Sequence, residues 1–264
     1  MSMIKLMLNR WSVSSRYLCV VFVLLGLGWS RVHDQAGVDP HSPMIAQSPL
    51  GLNHSSPETW LFIPIDGMTC ADGSATGIGV NFANYSSGKL LVYLSAGGGC
   101  WSASTCKDSL HVQNANLNGF DATTLQQVMV SGATQYSPPL PKNHGAHGIW
   151  DRSSAANPFQ DYNYVYIPYC TADFHAGNYP NSPMSGLSHV GYVNMTKALT
   201  YLAGVFSPSS TNEVVLMGGS AGGFGALWNF PQAQSIFGMI PVTLIAESGP
   251  PLPTPYLRPA LEES

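Results

Sequence analysis

The chain has 264 residues, of which 45% are hydrophobic and 11% aromatic, and its formal net charge is −4 at pH 7. This apolar content excludes an intrinsically disordered chain and is sufficient for one folded domain with a sizeable core. Only 9% of the residues are charged, and no basic cluster occurs along the sequence. We therefore expect neither nucleic acid nor an anionic membrane surface as an electrostatic partner.

The N-terminal segment has the pattern of an export signal. Three basic residues, Lys5, Arg10 and Arg16, precede an apolar run from Leu18 to Trp29. The run is short for a membrane-spanning helix and typical of the apolar core of a signal peptide. Residues 1–32 are therefore predicted to be a signal peptide, with an uncleaved signal anchor as the alternative. After cleavage we expect a secreted or periplasmic protein without stable membrane association.

The remaining chain divides into a lead-in and a folded part. Residues 33–57 carry Pro, Ser, Gly and Asn without periodicity, which predicts a flexible segment. In the predicted domain, residues 58–264, apolar runs alternate with helical patterns. The predicted strands are 60–65, 77–82, 89–94, 164–169, 214–217 and 242–246, and the predicted helices are 123–130, 188–204 and 221 to about 228.

The alternation of strands and helices predicts an α/β fold with a mainly parallel sheet that helices cover on both faces. One helix, 188–204, has an apolar stripe at helical spacing that we expect to face the sheet. Its members are Tyr192, Met195, Leu199 and Leu202.

The strand that begins at Val214 ends in the sequence Gly218-Gly219-Ser220-Ala221-Gly222. Gly-x-Ser-x-Gly between a strand and a helix is the pattern of a nucleophile elbow, a strained turn that exposes serine at the edge of a sheet. Glycine is required where strand and helix backbones leave no room for a Cβ. We therefore predict Ser220 as the nucleophile of an acyl-transfer hydrolase, with the Ala221 amide facing the oxyanion.

A glycine-rich loop follows the predicted strand 89–94. Gly97, Gly98 and Gly99 are consecutive, and unshielded N–H groups at the end of a buried strand can supply a second oxyanion donor. A flexible turn is the alternative. Because cysteines bracket the exit of the loop, we favour a fixed shape and a functional role.

Cysteine usage also agrees with export. Cys19 lies within the predicted signal, so the mature chain keeps Cys70, Cys100, Cys106 and Cys170. An even number of cysteines in an exported protein predicts two disulfides. Pairing of Cys100 with Cys106 is favoured because they bracket a short loop, which leaves Cys70 with Cys170. The rival interpretation, a metal site, lacks a Cys-x2-Cys or a histidine pair, so no metal and no cofactor is expected.

A set of motifs occurs in a fixed order between Trp60 and Pro251, and together they resemble the pectin acetylesterase family, which includes the Notum carboxylesterases. The likeness is greatest to its bacterial-type members. The motifs are Cys100-Trp101, Thr105-Cys106, Trp150-Asp151-Arg152, Asn157-Pro158-Phe159, Asp161-Tyr162-Asn163, Tyr169 to Gly177, His189 to Tyr192, Gly219 to Gly223 and Glu247 to Pro251.

The resemblance implies an α/β-hydrolase-like fold and a serine carboxylesterase that removes O-acyl groups, commonly acetyl groups from pectin. It implies Ser220 as the nucleophile and an oxyanion hole formed by Gly98, Gly99 and Ala221. The expected partner is an acylated polysaccharide or a small acyl ester. No cofactor is implied.

Two departures from the family pattern affect the site. Glu247-Ser248-Gly249 stands where the family usually has Asp-Ser-Gly, which alters a carboxylate expected to support the elbow. The second departure concerns the catalytic acid and base, which in the family lie further along the chain than this sequence extends. None of the residues after Ser220 is His or Asp.

Serine needs a base to remove its proton, so three interpretations stay open. The sequence is a C-terminally truncated part of a longer esterase, or it recruits His175 or His189 from upstream, or it is a non-catalytic module that binds acylated glycans or lipids. We favour the first and expect little turnover from this chain. Asp173 and His175 are expected to brace the loops around the site.

Overall fold

A six-stranded sheet forms the centre of the part of the chain that the structure, a computed structural model, describes. The described residues are 57–108, 110–112, 115–130 and 148–249. The predicted signal peptide and the predicted lead-in up to residue 56 lie outside these ranges, so both stay predictions. No helix in the described ranges combines the length and the hydropathy of a membrane span.

Strands and helices lie close to the predicted positions. The strands are β1 (Trp60–Thr69), β2 (Ala75–Asn81), β3 (Lys89–Leu94), β4 (Asn163–Ile167), β5 (Glu213–Gly219) and β6 (Val242–Glu247). The α-helices are α1 (Ala122–Val130), α2 (Gly191–Val205) and α3 (Ala221–Phe237), and short 3₁₀ turns occupy Thr105–Lys107 and Gly148–Trp150.

The strand order is β1-β2-β4-β3-β5-β6. Strands β4, β3, β5 and β6 are parallel, whereas β2 is antiparallel to both β1 and β4. The antiparallel pair β1-β2 arises because only residues 70–74 join the two strands, too few for a parallel crossover. The predicted α/β-hydrolase-like fold with a mainly parallel sheet is confirmed.

Helices cover both faces of this sheet. In β3, Leu90, Val92 and Leu94 face a core that also contains apolar residues of α2 and α3. Leu91 faces a second cluster on the opposite side, where α1 and the segment around Trp150 pack. The near-continuous apolar sequence of β3 follows from this burial on both sides.

The stripe predicted on α2 is correct for three of its four residues. Met195, Leu199 and Leu202 are completely buried against the sheet, whereas Tyr192 is 39% exposed. Tyr192 lies in the first turn of the helix, where the Gly191 N–H is held by the Asp173 carboxylate. The prediction that Tyr192 faces the core is therefore wrong.

Helix α3 extends nine residues beyond the predicted end at Trp228, to Phe237, and contains Pro231. Proline removes one backbone hydrogen bond from a helix interior. Ala233 and Phe237 are nevertheless buried in the same core as α2. The burial of these residues stabilises the helix and offsets the lost hydrogen bond. The local sequence pattern does not predict this stabilisation.

Both predicted disulfides are present. Cys70 pairs with Cys170 across a sequence separation of 100 residues, and Cys100 pairs with Cys106 across 6. The first joins the end of β1 to the loop after β4, and the second closes the loop that follows the glycines. In chain-entropy terms the long loop constrains the unfolded chain more than the short one.

Replacement of Met195 by alanine is expected to destabilise the fold by about 2–5 kcal/mol, because it leaves a cavity in a core where Met195 is fully buried. The matched control is Tyr192→Ala on the same helix, expected to cost under about 1 kcal/mol because the ring is largely exposed. Urea unfolding followed by circular dichroism measures both. Equal losses would contradict the packing of α2 described above.

Candidate active site

Ser220 lies on the turn between β5 and α3 with φ 51° and ψ −122°. A positive φ is uncommon for a residue with a side chain and marks backbone strain that the surroundings must hold in place. The Ser220 N–H donates to the Glu247 carbonyl at 2.8 Å, and the Ser220 carbonyl accepts from the Gly223 N–H at 2.9 Å. The residue as a whole is half-buried. These features are those of a nucleophile elbow.

The glycines of the elbow are required by close backbone contacts. A Cβ on Gly218 would lie 2.2 Å from the Gly222 carbonyl oxygen, and a Cβ on Gly222 would lie 2.1 Å from the Leu94 carbonyl oxygen. The second contact packs the first turn of α3 directly against the end of β3. Ser220 is thereby brought to the edge of the sheet at which the glycine-rich loop begins.

Two hydrogen bonds hold the glycine-rich loop, one to the carbonyl and one to the N–H of the peptide group between Gly98 and Gly99. Tyr169 Oη donates to the Gly98 carbonyl at 2.7 Å, and the Gly99 N–H donates to the His111 carbonyl at 2.7 Å. Gly98 has φ 81°, and a Cβ there would lie 1.9 Å from the His111 oxygen. The loop therefore has a defined conformation that only glycine allows at this position.

These contacts bear on the three predicted oxyanion donors. The Gly99 N–H is already committed to His111, which leaves Gly98 and Ala221 as the candidates. Ala221 is the first residue of α3, so its N–H has no acceptor within the helix. Ala96, at the start of the loop, packs in one buried cluster with Ala221. Both candidate donors thus belong to neighbouring segments.

Asp173 connects its own loop to the N-terminus of α2. Its Oδ1 accepts hydrogen bonds from Thr171 Oγ1 at 2.7 Å and from the His175 N–H at 3.1 Å. Its Oδ2 accepts from the Gly191 N–H at 2.6 Å, which also places a negative charge at the positive end of the helix. This arrangement is that of a bracing residue.

His175 is 2% exposed and lies between β3 and α3. Because a carbonyl can only accept, His175 Nε2 donates to the Ser95 oxygen at 2.8 Å. Asn229 Nδ2 donates to the His175 carbonyl at 2.9 Å. Burial lowers the pKa of His175 below its ordinary value. His175 therefore links the two elements that carry Ser220 and the glycine-rich loop, its imidazole through Ser95 and its backbone carbonyl through Asn229.

The other described histidines also have partners. His189 Nδ1 lies 2.8 Å from the Thr171 carbonyl, its Nε2 lies 2.8 Å from Ser185 Oγ, and His111 pairs with Asp108. Within the described ranges, none of these histidines or His175 forms a hydrogen bond with the Ser220 hydroxyl. The structure therefore gives no support to His175 or His189 as the base.

Glu247 supports the elbow mainly through its backbone. Its carbonyl oxygen accepts from Ser220 and lies 2.4 Å from where a Cβ on Gly223 would be. Its side chain is exposed, and Oε2 lies 3.8 Å from the Cβ position of Gly219. The carboxylate is thus beside the turn, while the backbone holds the strained peptide.

An aromatic cluster beside the site was not predicted. Phe174, Phe224 and Trp228 have ring centroids 5.4–6.1 Å apart, and Trp228 is 45% exposed. A Cβ on Gly99 would lie 2.5 Å from Phe174 Cζ. The cluster therefore borders the glycine-rich loop and the exposed side of α3. The spacing Ser220, Phe224, Trp228 repeats every four residues and is a signal from which it could have been found.

A shallow cavity of about 300 Å³ lies elsewhere in the fold. It is lined by residues between Gly148 and Pro158, among them Asp151 and Asn157. None of the lining residues belongs to the elbow or to the glycine-rich loop. The cavity therefore contributes nothing to the chemistry of Ser220.

Substitution Gly222→Ala tests the contact between α3 and β3. We expect a loss of about 1–3 kcal/mol or more in the free energy of unfolding, because the new methyl group overlaps the Leu94 carbonyl. Gly204→Ala in α2 is the matched control, since a Cβ there meets no atom within 4 Å. The control is expected to be neutral or to stabilise by about 0.5–1 kcal/mol. Similar effects of the two substitutions in thermal unfolding would contradict the close approach.

Buried His175 should make stability depend on pH. Because its native pKa lies below the ordinary value of 6.5, the unfolded chain binds more protons there. Its contribution is complete above pH 6.5 and is lost progressively as the pH falls from that value toward the lower native pKa, with a slope of up to about 1.4 kcal/mol per pH unit. Urea unfolding between pH 7 and pH 5 measures the slope.

The variant His175→Gln should flatten this slope, whereas Tyr192→Ala should keep it. Carboxylates with lowered pKa, such as Asp72 and Asp121, start from an ordinary value of 3.8 and contribute only at lower pH. An unchanged slope in His175→Gln would show that another group titrates.

Comparisons with known proteins identify the family of this chain. Residues 59–253 match the family model described as pectinacetylesterase. Palmitoleoyl-protein carboxylesterase notum1' of Xenopus laevis is 29% identical over 170 residues, which are 64% of this chain and 31% of that protein. Palmitoleoyl-protein carboxylesterase NOTUM of Mus musculus is 27% identical over 188 residues, 69% of this chain and 33% of that protein. The chain thus spans about a third of the length of these curated relatives.

Among solved structures, the Wnt deacylase Notum from Drosophila aligns with a TM-score of 0.49 and 22% sequence identity. The alignment covers 71% of this chain and 50% of that chain. The family model covers more than half of the sequence and includes the elbow, the glycine-rich loop and all four disulfide cysteines. The chain belongs to the pectinacetylesterase family.

Proposed function

We propose that this chain carries the nucleophile and the oxyanion hole of an exported serine carboxylesterase that removes O-acetyl or other O-acyl groups. The observation that carries the proposal is the strained, half-buried Ser220 at the start of α3, packed against the strand end from which the glycine-rich loop begins. Membership of the pectinacetylesterase family supports the same chemistry.

In the proposed reaction, Ser220 Oγ attacks the carbonyl carbon of the ester and negative charge develops on the carbonyl oxygen. The N–H groups of Gly98 and Ala221 donate to that oxygen, and the N-terminus of α3 adds a favourable dipole. An acyl-enzyme forms as the alcohol leaves, and water then releases the acid. His175 and Asp173 hold the loops in place and do not contact the reacting atoms.

The general base and its acid partner are proposed to lie outside the described residues. Each of the described histidines already donates to or accepts from another group, and none is bonded to Ser220. Serine without a base retains only the part of catalysis that the oxyanion hole and binding supply. We therefore expect slow acylation of Ser220 and little turnover wherever that base is missing.

The proposed substrate is an acylated polysaccharide or a small acyl ester encountered outside the cytoplasm. Two disulfides and the N-terminal apolar run support an exported, secreted or periplasmic location. The curated relatives are named palmitoleoyl-protein carboxylesterases, so acyl groups longer than acetyl are included in the proposal.

A second candidate is a non-catalytic module that binds acylated glycans or lipids. It is favoured by the hydrogen bonds that commit the described histidines to structural partners. In this case Ser220 and the glycine-rich loop would form a binding pocket without turnover.

Labelling with an activated acyl ester and with a fluorophosphonate tests the proposal. We expect slow formation of a covalent adduct, which peptide mass spectrometry locates on Ser220, and no adduct in Ser220→Ala. Ser209→Ala, in the exposed loop after α2, is the control and should label like the parent chain. An adduct that persists in Ser220→Ala contradicts the assignment. Saturable binding of acetylated pectin by a chain that forms no adduct would favour the binding module.

A further inference from the structure

Exposed aromatic side chains continue from the candidate active site along α3 to the neighbouring helix α2. Trp228 on α3 is 45% exposed, and Tyr192 on α2 is 39% exposed. We propose that these two rings form a sugar-binding subsite, on which the polysaccharide part of an acylated substrate stacks while Ser220 attacks the ester. The inference rests on the proposed esterase function and adds the residues that select the alcohol side of its substrate.

The two rings lie on neighbouring helices that run in the same direction. Helix α2 joins β4 to β5 and α3 joins β5 to β6, these strands are parallel, and both helices pack in one core. Thr196 Oγ1 on α2 donates to Gln232 Oε1 on α3 at 2.7 Å. Tyr192 and Trp228 each lie one helical turn before a member of this contact. They therefore occupy the same level on adjacent helices, whose axes in packed pairs lie about 8–10 Å apart.

Two further rings fix the position of Trp228. Its ring centroid lies 5.4 Å from that of Phe224 and 6.1 Å from that of Phe174. Phe174 in turn approaches Gly99, so the cluster connects Trp228 to the glycine-rich loop. Rings that are held in place before binding lose little conformational entropy when a ligand stacks on them. The subsite is thus preorganised and continuous with the candidate active site.

The chemistry of the exposed rings favours a sugar over an acyl chain. Tyrosine and tryptophan combine an apolar body with a polar tip, so they suit a partner that is itself amphipathic and stays partly hydrated. A sugar presents C–H groups on its ring faces, which the negative face of an aromatic ring attracts, and hydroxyl groups at its edge. An acyl chain requires a cleft that excludes water. Rings that are 39% and 45% exposed lie on an open surface instead.

The distance from the nucleophile suits a polymer. Trp228 follows Ser220 by two helical turns, which corresponds to a rise of roughly 12 Å along α3. This rise exceeds the length of one sugar unit, so the stacked sugar and the acylated sugar are separate units of one chain. An acetyl group offers only two carbons for binding. Remote contacts with the sugar chain therefore supply binding energy that positions the ester at Ser220.

Binding of acetylated pectin oligosaccharides by the full 264-residue chain tests the subsite. Isothermal titration calorimetry measures the dissociation constant, and circular dichroism monitors the fold of each variant. We expect Trp228→Ala to weaken binding by about tenfold and Tyr192→Ala by a smaller factor, whereas Trp228→Phe keeps a ring and most of the affinity. The matched control is Tyr85→Ala. Tyr85 is 59% exposed but lies before β3, at the opposite edge of the sheet, so its loss should not change binding.

Fluorophosphonate labelling of Ser220 separates this inference from the proposed function. The small reagent does not span the two turns to Trp228, so Trp228→Ala should be labelled at the parent rate. Labelling of Ser220 together with unchanged pectin binding in Trp228→Ala and Tyr192→Ala would overturn the subsite and leave the esterase proposal standing. Binding that depends on Trp228, in a chain that forms no adduct, would support the subsite and contradict the esterase.

Two further outcomes would also overturn the subsite. One is a folded parent chain that does not bind the acetylated oligosaccharides. The other is binding of oleate, a long-chain acyl probe, that is lost in Trp228→Ala while pectin binding is retained, because the rings would then contact the acyl chain and not the sugar.

Discussion

The candidate site depends on one close contact, the packing of the first turn of α3 against the carboxyl end of β3. Gly222 lies so near the Leu94 and Ser95 carbonyls that any side chain would overlap them. The strained Ser220 directly precedes this turn, and Ala221 packs in one cluster with Ala96 at the start of the glycine-rich loop.

The loop after β4 contains a second group of residues with strained backbone conformations. Ala172, Phe174 and His175 all have φ between 53° and 58°, although none is glycine. Each such residue costs on the order of 1 kcal/mol or more, so neighbouring contacts must hold it. The Asp173 carboxylate and the Tyr169 hydroxyl supply these contacts. The strained loop therefore depends on these bracing contacts.

Sequence predicted those features that depend on local chemistry. The elbow at Ser220 is encoded within five residues, and the strands have clear apolar runs. Features that depend on distant contacts were missed or incomplete: the hydrogen bond from Gly99 to His111, the approach of Phe174 to Gly99 and the extension of α3 through Pro231. Each feature depends on which segments pack together. The hydrophobic periodicity within one segment does not predict that packing.

Both disulfides lie at the edge of the sheet that carries Ser220. Cys70 follows β1 and Cys170 follows β4, two strands that run in the same direction because each is antiparallel to β2. Cys100 follows the glycine-rich loop after β3, which is parallel to β4. The carboxyl edge carries the strained, hydrogen-bonded loops, whereas the two cores lie below it on the faces of the sheet. Both covalent cross-links thus fix loops at this edge, and Cys70 and Cys170 also pack in a buried apolar cluster with Phe120 and Tyr166.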